Sequence, residues 1–187
     1  YLARVVDIDD PEGRDRVQVR LYAFDEAGGQ DAPLWARVVC PFAGAERGAF
    51  FMPDVGDEVL VVFVQGDARH PLVVGGLWNG ANAAPASLAG GSNRLKRIRS
   101  KNGVVVTLDD EQGQEKLVLE TPAGQKLTLS DGPGKVRIED SNGNSLVMEA
   151  AGITVTAAAQ VKVEAANVKV SAGMVTVDAA MAKFSGV

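Results

Sequence analysis

The feature that most constrains this chain is a recurrence of short apolar pairs near its C-terminal end. From Leu127 onward come Leu127/Leu129, Val136/Ile138, Ile153/Val155, Val161/Val163, Val168/Val170 and Val175/Val177, with Leu146/Met148 as a looser member. The last four pairs start at 153, 161, 168 and 175, spacings of eight, seven and seven residues. Self-similarity of this kind marks a repeat architecture. The inward set is Val, Ile and Leu; the outward set is Lys162, Glu164, Lys169, Ser171, Thr176 and Asp178. Such alternation reads as short strands with one apolar face.

Strands of three to five residues do not enclose a core alone, and the drifting period departs from the steady hexapeptide of a single-chain β-helix. Three copies wound about one axis solve the problem. Every strand then pairs with neighbouring chains, the apolar pairs fill a thin prism, and sheet edges along the shaft disappear. The expected core is Ile153, Val155, Val161, Val163, Val168, Val170, Val175 and Val177. Aromatic residues make up only 5% of the chain, against 46% hydrophobic residues, which suits a core too narrow for Trp. Nine or ten strands at roughly 4.8 Å per layer predict a shaft on the order of 45 Å. Turns shorten toward the C-terminus, from Thr121–Gly124, Asp131–Gly134 and Asp140–Asn144 to Ala-Gly or Ala-Ala, as in a taper.

The first 80 residues read differently. Strands are expected at Ala3–Asp9, Arg14–Ala23, Pro33–Cys40, Asp57–Val64 and Pro71–Leu77, separated by Gly- and Pro-bearing turns. In the second, Val17, Val19 and Leu21 alternate with Gln18 and Arg20. The fourth holds six consecutive apolar residues, so both its faces are expected to be covered, the outer one by a partner subunit. Five strands without a helical period suggest an oligonucleotide/oligosaccharide-binding (OB) barrel. Ala81–Ser92, rich in Gly, Ala and Ser, reads as a linker. The fold class is therefore all-β: an OB-fold barrel over 1–80, a linker over 81–92, and an intertwined triple-stranded β-helix over 93–187, as a homotrimer.

Candidate chemistry is sparse. His70 is the single histidine and follows Arg69 in a turn, which suits neither a metal ligand nor a base. Cys40, the single cysteine, reads as a small buried hydrophobe in an apolar strand. Arg94-Leu-Lys-Arg-Ile-Arg-Ser-Lys101 carries five basic residues in eight; the plainer reading is a strand with Leu95 and Ile98 tucked in and its charges solvated or paired. Asp140–Asn144 resembles the start of a calcium loop but lacks its Gly and distal Glu, so it reads as a turn. The carboxylates Asp109, Asp110, Glu111 and Glu115 lie in a loop without an aromatic sugar platform. No catalytic residue, cofactor or metal is expected. A net charge of −5 argues against nucleic-acid binding, and no apolar run approaches the ~18 residues of a membrane helix.

Four segments in order carry a family resemblance: Pro33-Leu-Trp-Ala-Arg-Val, Pro53-Asp-Val-Gly-Asp-Glu-Val-Leu-Val-Val-Phe, Gly66-Asp-Ala-Arg-His-Pro and Gly75-Gly-Leu-Trp-Asn-Gly. Together they resemble the barrel of contractile-tail spikes: VgrG proteins of type VI secretion, phage baseplate spikes, and spikes of extracellular contractile injection particles, the last most of all. Trp35, Gly56, Asp57, Gly66, Asp67, Trp78, Asn79 and Gly80 are the collar residues of that pattern. Ser141-Asn-Gly-Asn, Ala172-Gly-Met-Val-Thr-Val-Asp and Met181-Ala-Lys-Phe-Ser-Gly186 extend the resemblance through the repeat.

The resemblance implies a structural, force-bearing spike, not an enzyme. Its implied partners are two further copies, hub, tail-tube and baseplate proteins at the N-terminal end, and a small conical proline-alanine-alanine-arginine (PAAR) repeat protein at the tip. Contact with a target membrane is transient. The implied location is a contractile particle assembled in the bacterial cytoplasm and fired or released outside, or a virion baseplate. A large N-terminal hub and a tip segment of such spikes have no counterpart in these residues, nor do the paired histidines of an iron-binding apex. The chain begins at Tyr1 within a strand, which reads as part of a longer protein. Competing readings are a monomeric OB-fold binding module and a β-helical polysaccharide depolymerase using Asp109 or Asp110.

Overall fold

The computed structural model describes residues 1–24 and 32–183, which divide into two compact units, Tyr1–Ser92 and Asn93–Val187. The loop expected at 25–32 lies outside the described residues up to residue 31.

In the first unit, β1 (Leu2–Asp7), β2 (Val17–Leu21) and β3 (Leu34–Val38) are followed by a small hairpin, β4 (Ala43–Gly44) and β5 (Arg47–Gly48), then by β6 (Glu58–Phe63) and β7 (Pro71–Leu77). Five of these close a barrel in the order β1-β2-β3-β7-β6, with β6 returning to β1 through Leu2↔Leu60, Ala3↔Val59 and Arg4↔Glu58. All pairings are antiparallel except β3 with β7. The core is built from alternate residues of every barrel strand: Ala3 and Val5, Val17, Val19 and Leu21, Ala36, Val59 and Val61, and Val73. Small β-branched side chains fill a five-stranded barrel without room for rings.

In β6, Val59 and Val61 are fully buried, whereas Leu60 and Val62, on the face expected to meet a partner subunit, point outward and are exposed within one chain. One expectation needs correction here. Cys40 lies past the end of β3, half-buried, and its thiol donates to the Phe42 carbonyl at 3.3 Å. The segment between β3 and β6 contains the β4–β5 hairpin.

The second unit is a meander. β8 (Leu95–Arg99), β9 (Val105–Asp109), β10 (Lys116–Glu120), β11 (Lys126–Ser130), β12 (Lys135–Glu139), β13 (Ser145–Glu149) and β14 (Gly152–Thr156) are each five residues long. They pair consecutively and antiparallel, residue for residue. The turns carry the expected chemistry: Gly124, at φ +86°, donates its N–H to the Thr121 carbonyl at 2.9 Å. Strands from β8 to β14 therefore pair within the chain, not strand by strand with neighbouring chains. Among the described residues, 157–183 form no strand, and Val161, Val163, Val168, Val170, Val175 and Val177 lie exposed. Among the described residues, the single chain forms no β-helix.

Candidate self-association face

Five-residue strands in full register put three residues on one face of the meander and two on the other. The two-residue columns follow from the pairing. One runs Ile98, Val106, Leu119, Leu127, Ile138, Leu146, Val155; the other runs Lys96, Leu108, Leu117, Leu129, Val136, Met148, Ile153. Thirteen of these fourteen positions are aliphatic or Met. None is buried within the chain, and Ile138 remains 47% and Ile153 69% exposed. A contiguous apolar face of this length is an interaction surface.

The opposite face carries the polar residues. Its central column is Arg97, Thr107, Val118, Thr128, Arg137, Val147 and Thr154, and both flanking columns are largely charged. Lys135 pairs with Glu149 at 2.7 Å, Arg137 with Glu139 at 2.6 Å, and the Arg97 guanidinium donates to Thr107 Oγ1 at 3.1 Å. Across one edge of the apolar face, Val161 and Gln160 of the following segment help line an open groove of about 820 Å³ with Val106, Leu119, Leu127 and Ile138.

The basic run 94–101 faces the acidic loop. Arg94 meets Asp109 at 3.4 Å and Glu111 at 2.6 Å, and Lys96 meets Asp110 at 3.7 Å. These are the carboxylates weighed as a glycosidase pair; two of them sit against one guanidinium. Leu95 is partly covered as expected, but Ile98 falls on the apolar face and is exposed, because adjacent β residues alternate sides. Asp140 organises its turn by accepting from Asn142 N–H at 2.9 Å, Asn144 N–H at 2.8 Å and Asn144 Nδ2 at 2.7 Å. The Asn144 side chain, then its N–H, holds the carboxyl below its usual range.

The collar residues do separate local work. Gly56, at φ +100°, turns the chain into β6 and donates to the Val5 carbonyl at 2.9 Å; Asp57 accepts from Asp54 N–H at 2.8 Å. Gly66, at φ +79°, and Asp67 make the β6–β7 turn. Arg69 grips Asp67 through Nε and Nη2, lowering its pKa to about 2, and His70 Nδ1 stands 3.4 Å from the same carboxylate. Asn79 donates to Glu58 at 2.6 Å and accepts from Ala81 and Asn82 N–H; Trp78 beside it is exposed, and Gly80 follows in the same turn. Trp35 lies half-buried under the Arg16 guanidinium, 5.8 Å from the ring centroid.

Sequence reasoning missed the bracket that holds Arg16. Asp10 accepts from Arg16 Nη2 at 2.7 Å and Nε at 2.9 Å, and also from the N–H groups of Glu12 and Arg14. The Arg16 side chain above all drives the Asp10 pKa far down. An Asp opening a Pro-Glu-Gly turn was the available signal. Reasoning from the repeat also missed that the apolar columns begin at Ile98, seven strands deep, because the early turns are longer and hide the period.

Comparison with known protein families matches residues 1–78 to the type VI secretion system/phage-baseplate injector OB domain. Residues 116–181, which begin at β10, match the phage baseplate V C-terminal trimerisation domain. The chain belongs to the VgrG-like baseplate spike family. Within it, the chain is 26% identical over 129 residues to the type VI secretion system spike protein VgrG1b of Pseudomonas aeruginosa, covering 65% of this chain and 17% of that protein. It is 34% identical over 108 residues to VgrG4b of the same organism, 54% and 13% respectively, and 29% over 94 residues to VgrG3 of Vibrio cholerae, 48% and 9%. The spike-family chain thus spans under a fifth of the length of these relatives. Its apolar face lies largely within the segment matched to trimerisation, and its closed barrel is the OB domain. Among the described residues no helix is long and apolar enough to cross a membrane.

Proposed function

We propose that this chain is the collar and shaft of a homotrimeric spike in a contractile injection machine. Three meanders turn their apolar columns toward one axis, and the barrel of 1–80 serves as collar, joined through 81–92. Below Thr156 the three tails wind into the intertwined β-helix, with Val161, Val163, Val168, Val170, Val175 and Val177 stacked on the axis beneath Ile153 and Val155. The observation that carries this reading is the two-column aliphatic face, no position of which the described residues of its own chain bury. Fully burying an exposed side chain of this size contributes roughly 1.5–3 kcal/mol; these start partly covered, so each adds a fraction of that, summed over many positions in three copies against the cost of association.

The role is mechanical. A prism whose strands are all internally paired or wound with neighbours presents no loose edge when driven through an envelope. In this reading the chain performs no catalysis; hub, tube and baseplate components engage the barrel end, and a PAAR-type protein caps the point. Light scattering of the purified chain tests it. A mass near 58.5 kDa, three times 19.5 kDa, is expected; a mass of 19.5 kDa at micromolar concentration overturns it.

A further inference from the structure

The outward face of the meander has a charge pattern along its two margins that its own chain uses only in part: Lys135 and Glu139 already have partners in Glu149 and Arg137, and Asp109 in Arg94. At one margin, each strand ends with Leu95, Asp109, Lys116, Ser130, Lys135, Glu149 and Gly152, from β8 to β14. At the other margin the same strands end with Arg99, Val105, Glu120, Lys126, Glu139, Ser145 and Thr156. Lys116, Glu120 and Lys126 make no ion pair within the chain among the described residues, although Glu120 and Lys126 stand opposite each other.

When three sheets close into a prism, one margin of each meets the other margin of the next. A three-fold axis holds the three chains at one height, so the register at each corner follows from how far the strands tilt across their sheet, and symmetry leaves that tilt open. The charges do not leave it open. At zero stagger, each strand meets its own counterpart: Lys116 faces Glu120, Lys135 faces Glu139, and no like charges meet. A slip of one strand in one direction brings Asp109 to Glu120 and Lys116 to Lys126, two repulsions and no attraction. A slip in the other direction sets Asp109 beside Arg99, but also Lys135 beside Lys126 and Glu149 beside Glu139. A slip of two strands again opposes unlike charges, Asp109 with Lys126 and Lys116 with Glu139. It leaves two of seven strands at each corner without an apolar neighbour, so hydrophobic burial rejects what charge would accept.

We propose that these margin charges set the register of the trimer: the partner surface is the opposite margin of a second copy of this chain, and Lys116–Glu120 and Lys135–Glu139 are contacts between chains at zero stagger. This rests on the trimeric reading. The device resembles the flanking charges of a coiled coil, where pairing across the seam picks alignment more than strength.

Cross-linking of the full chain tests the register. In a Cys40→Ser background, Lys116→Cys with Glu120→Cys places two thiols at opposite ends of β10, about 13 Å apart within one chain at ~3.3 Å per residue. That is too far for an internal disulfide. Oxidation is expected to convert most of the protein to a covalent trimer on a non-reducing gel. The pairs Lys116→Cys with Lys126→Cys, and Lys126→Cys with Lys135→Cys, report the two one-strand slips and are expected to stay uncross-linked. A double-mutant cycle supplies a second readout: Lys116→Ala and Glu120→Ala should each lower the trimer's melting point, with the double variant losing clearly less than the sum, and the deficit should shrink in high salt. A covalent trimer from either slipped pair, or strict additivity in the cycle, overturns the proposal while leaving the trimer standing. A monomeric mass for the unaltered chain overturns both.

Discussion

The barrel and the meander use the same materials and reach opposite states. Both are made of short strands in which Val, Leu and Ile alternate with polar residues. In the barrel, Val5, Val17, Val19, Val59, Val61 and Val73 are at most 1% exposed. In the meander, no residue of either apolar column is buried, and the one buried residue among the described positions is Thr107, on the other face. The difference is closure. β1 pairs with β6, so the barrel's inner face is sealed by its own chain. The meander ends in two free edges, β8 and β14, and its apolar face opens outward. Alternation specifies a strand with an apolar side; whether that side is covered in cis or in trans depends on whether the sheet closes on itself. A five-stranded barrel folds as a unit, whereas the meander's hydrophobic stabilisation arrives with its partners.

That contrast can be broken most directly by placing charge on the open face. Leu127→Asp would bury three carboxylates near the axis and is expected to abolish the trimer while the barrel remains folded, since isolated buried charge is so costly. Val168→Asp is expected to do the same from the tail. Light scattering with circular dichroism reads both; a stable trimer from Leu127→Asp refutes the assigned core. Next in size is Val61→Ala in the barrel. Loss of two methyl groups from a fully buried site should cost roughly 2–3 kcal/mol. Its unfolding, followed by denaturant, should not depend on protein concentration, whereas Leu127→Ala should give a melting point that rises with concentration. If both variants respond alike, the distinction between cis and trans burial fails.

The smallest effect is acidic. Asp10, held low mainly by Arg16, and Asp140, held low mainly by Asn144, have folded-state pKa values below the unfolded value near 4. Their contribution is therefore fully present above about pH 4 and is lost as pH falls through the depressed folded values. The barrel's melting point should drop between pH 4 and 2, and Asp10→Asn should flatten that limb while lowering the plateau at pH 7. An unchanged acid limb in the variant would remove the Asp10–Arg16 bracket from the barrel's stability.

Much of this was legible in particular residues. Val17, Val19 and Leu21 announced an inward face, and they are buried. Pro71–Leu77 is a strand with the bounds its pattern suggested. Asp140 makes a turn because a short carboxylate followed by Asn-Gly-Asn caps its own backbone. What was misread was misread for one reason: local pattern carries no information about what covers a face. Leu95 and Ile98 looked like companions but fall on opposite sides of β8. The pairs from Leu127 to Val155 looked like strands awaiting other chains, yet each finds its hydrogen-bonding neighbour in the next hairpin, because turns of two to five residues allow an antiparallel return. From Ala157 the connections shrink, and in the described residues the returns stop.

The Val-x-Val pairs, on their own, determined that this chain must present an apolar stripe along a row of short strands, since side chains two apart on a strand share a face. They determined nothing about where the stripe's cover comes from. That was decided only by tertiary structure: by β6 returning to β1 in one unit, and by β8 and β14 staying apart in the other, because hydrogen bonding between strands distant in sequence is set by how the whole sheet curves and closes.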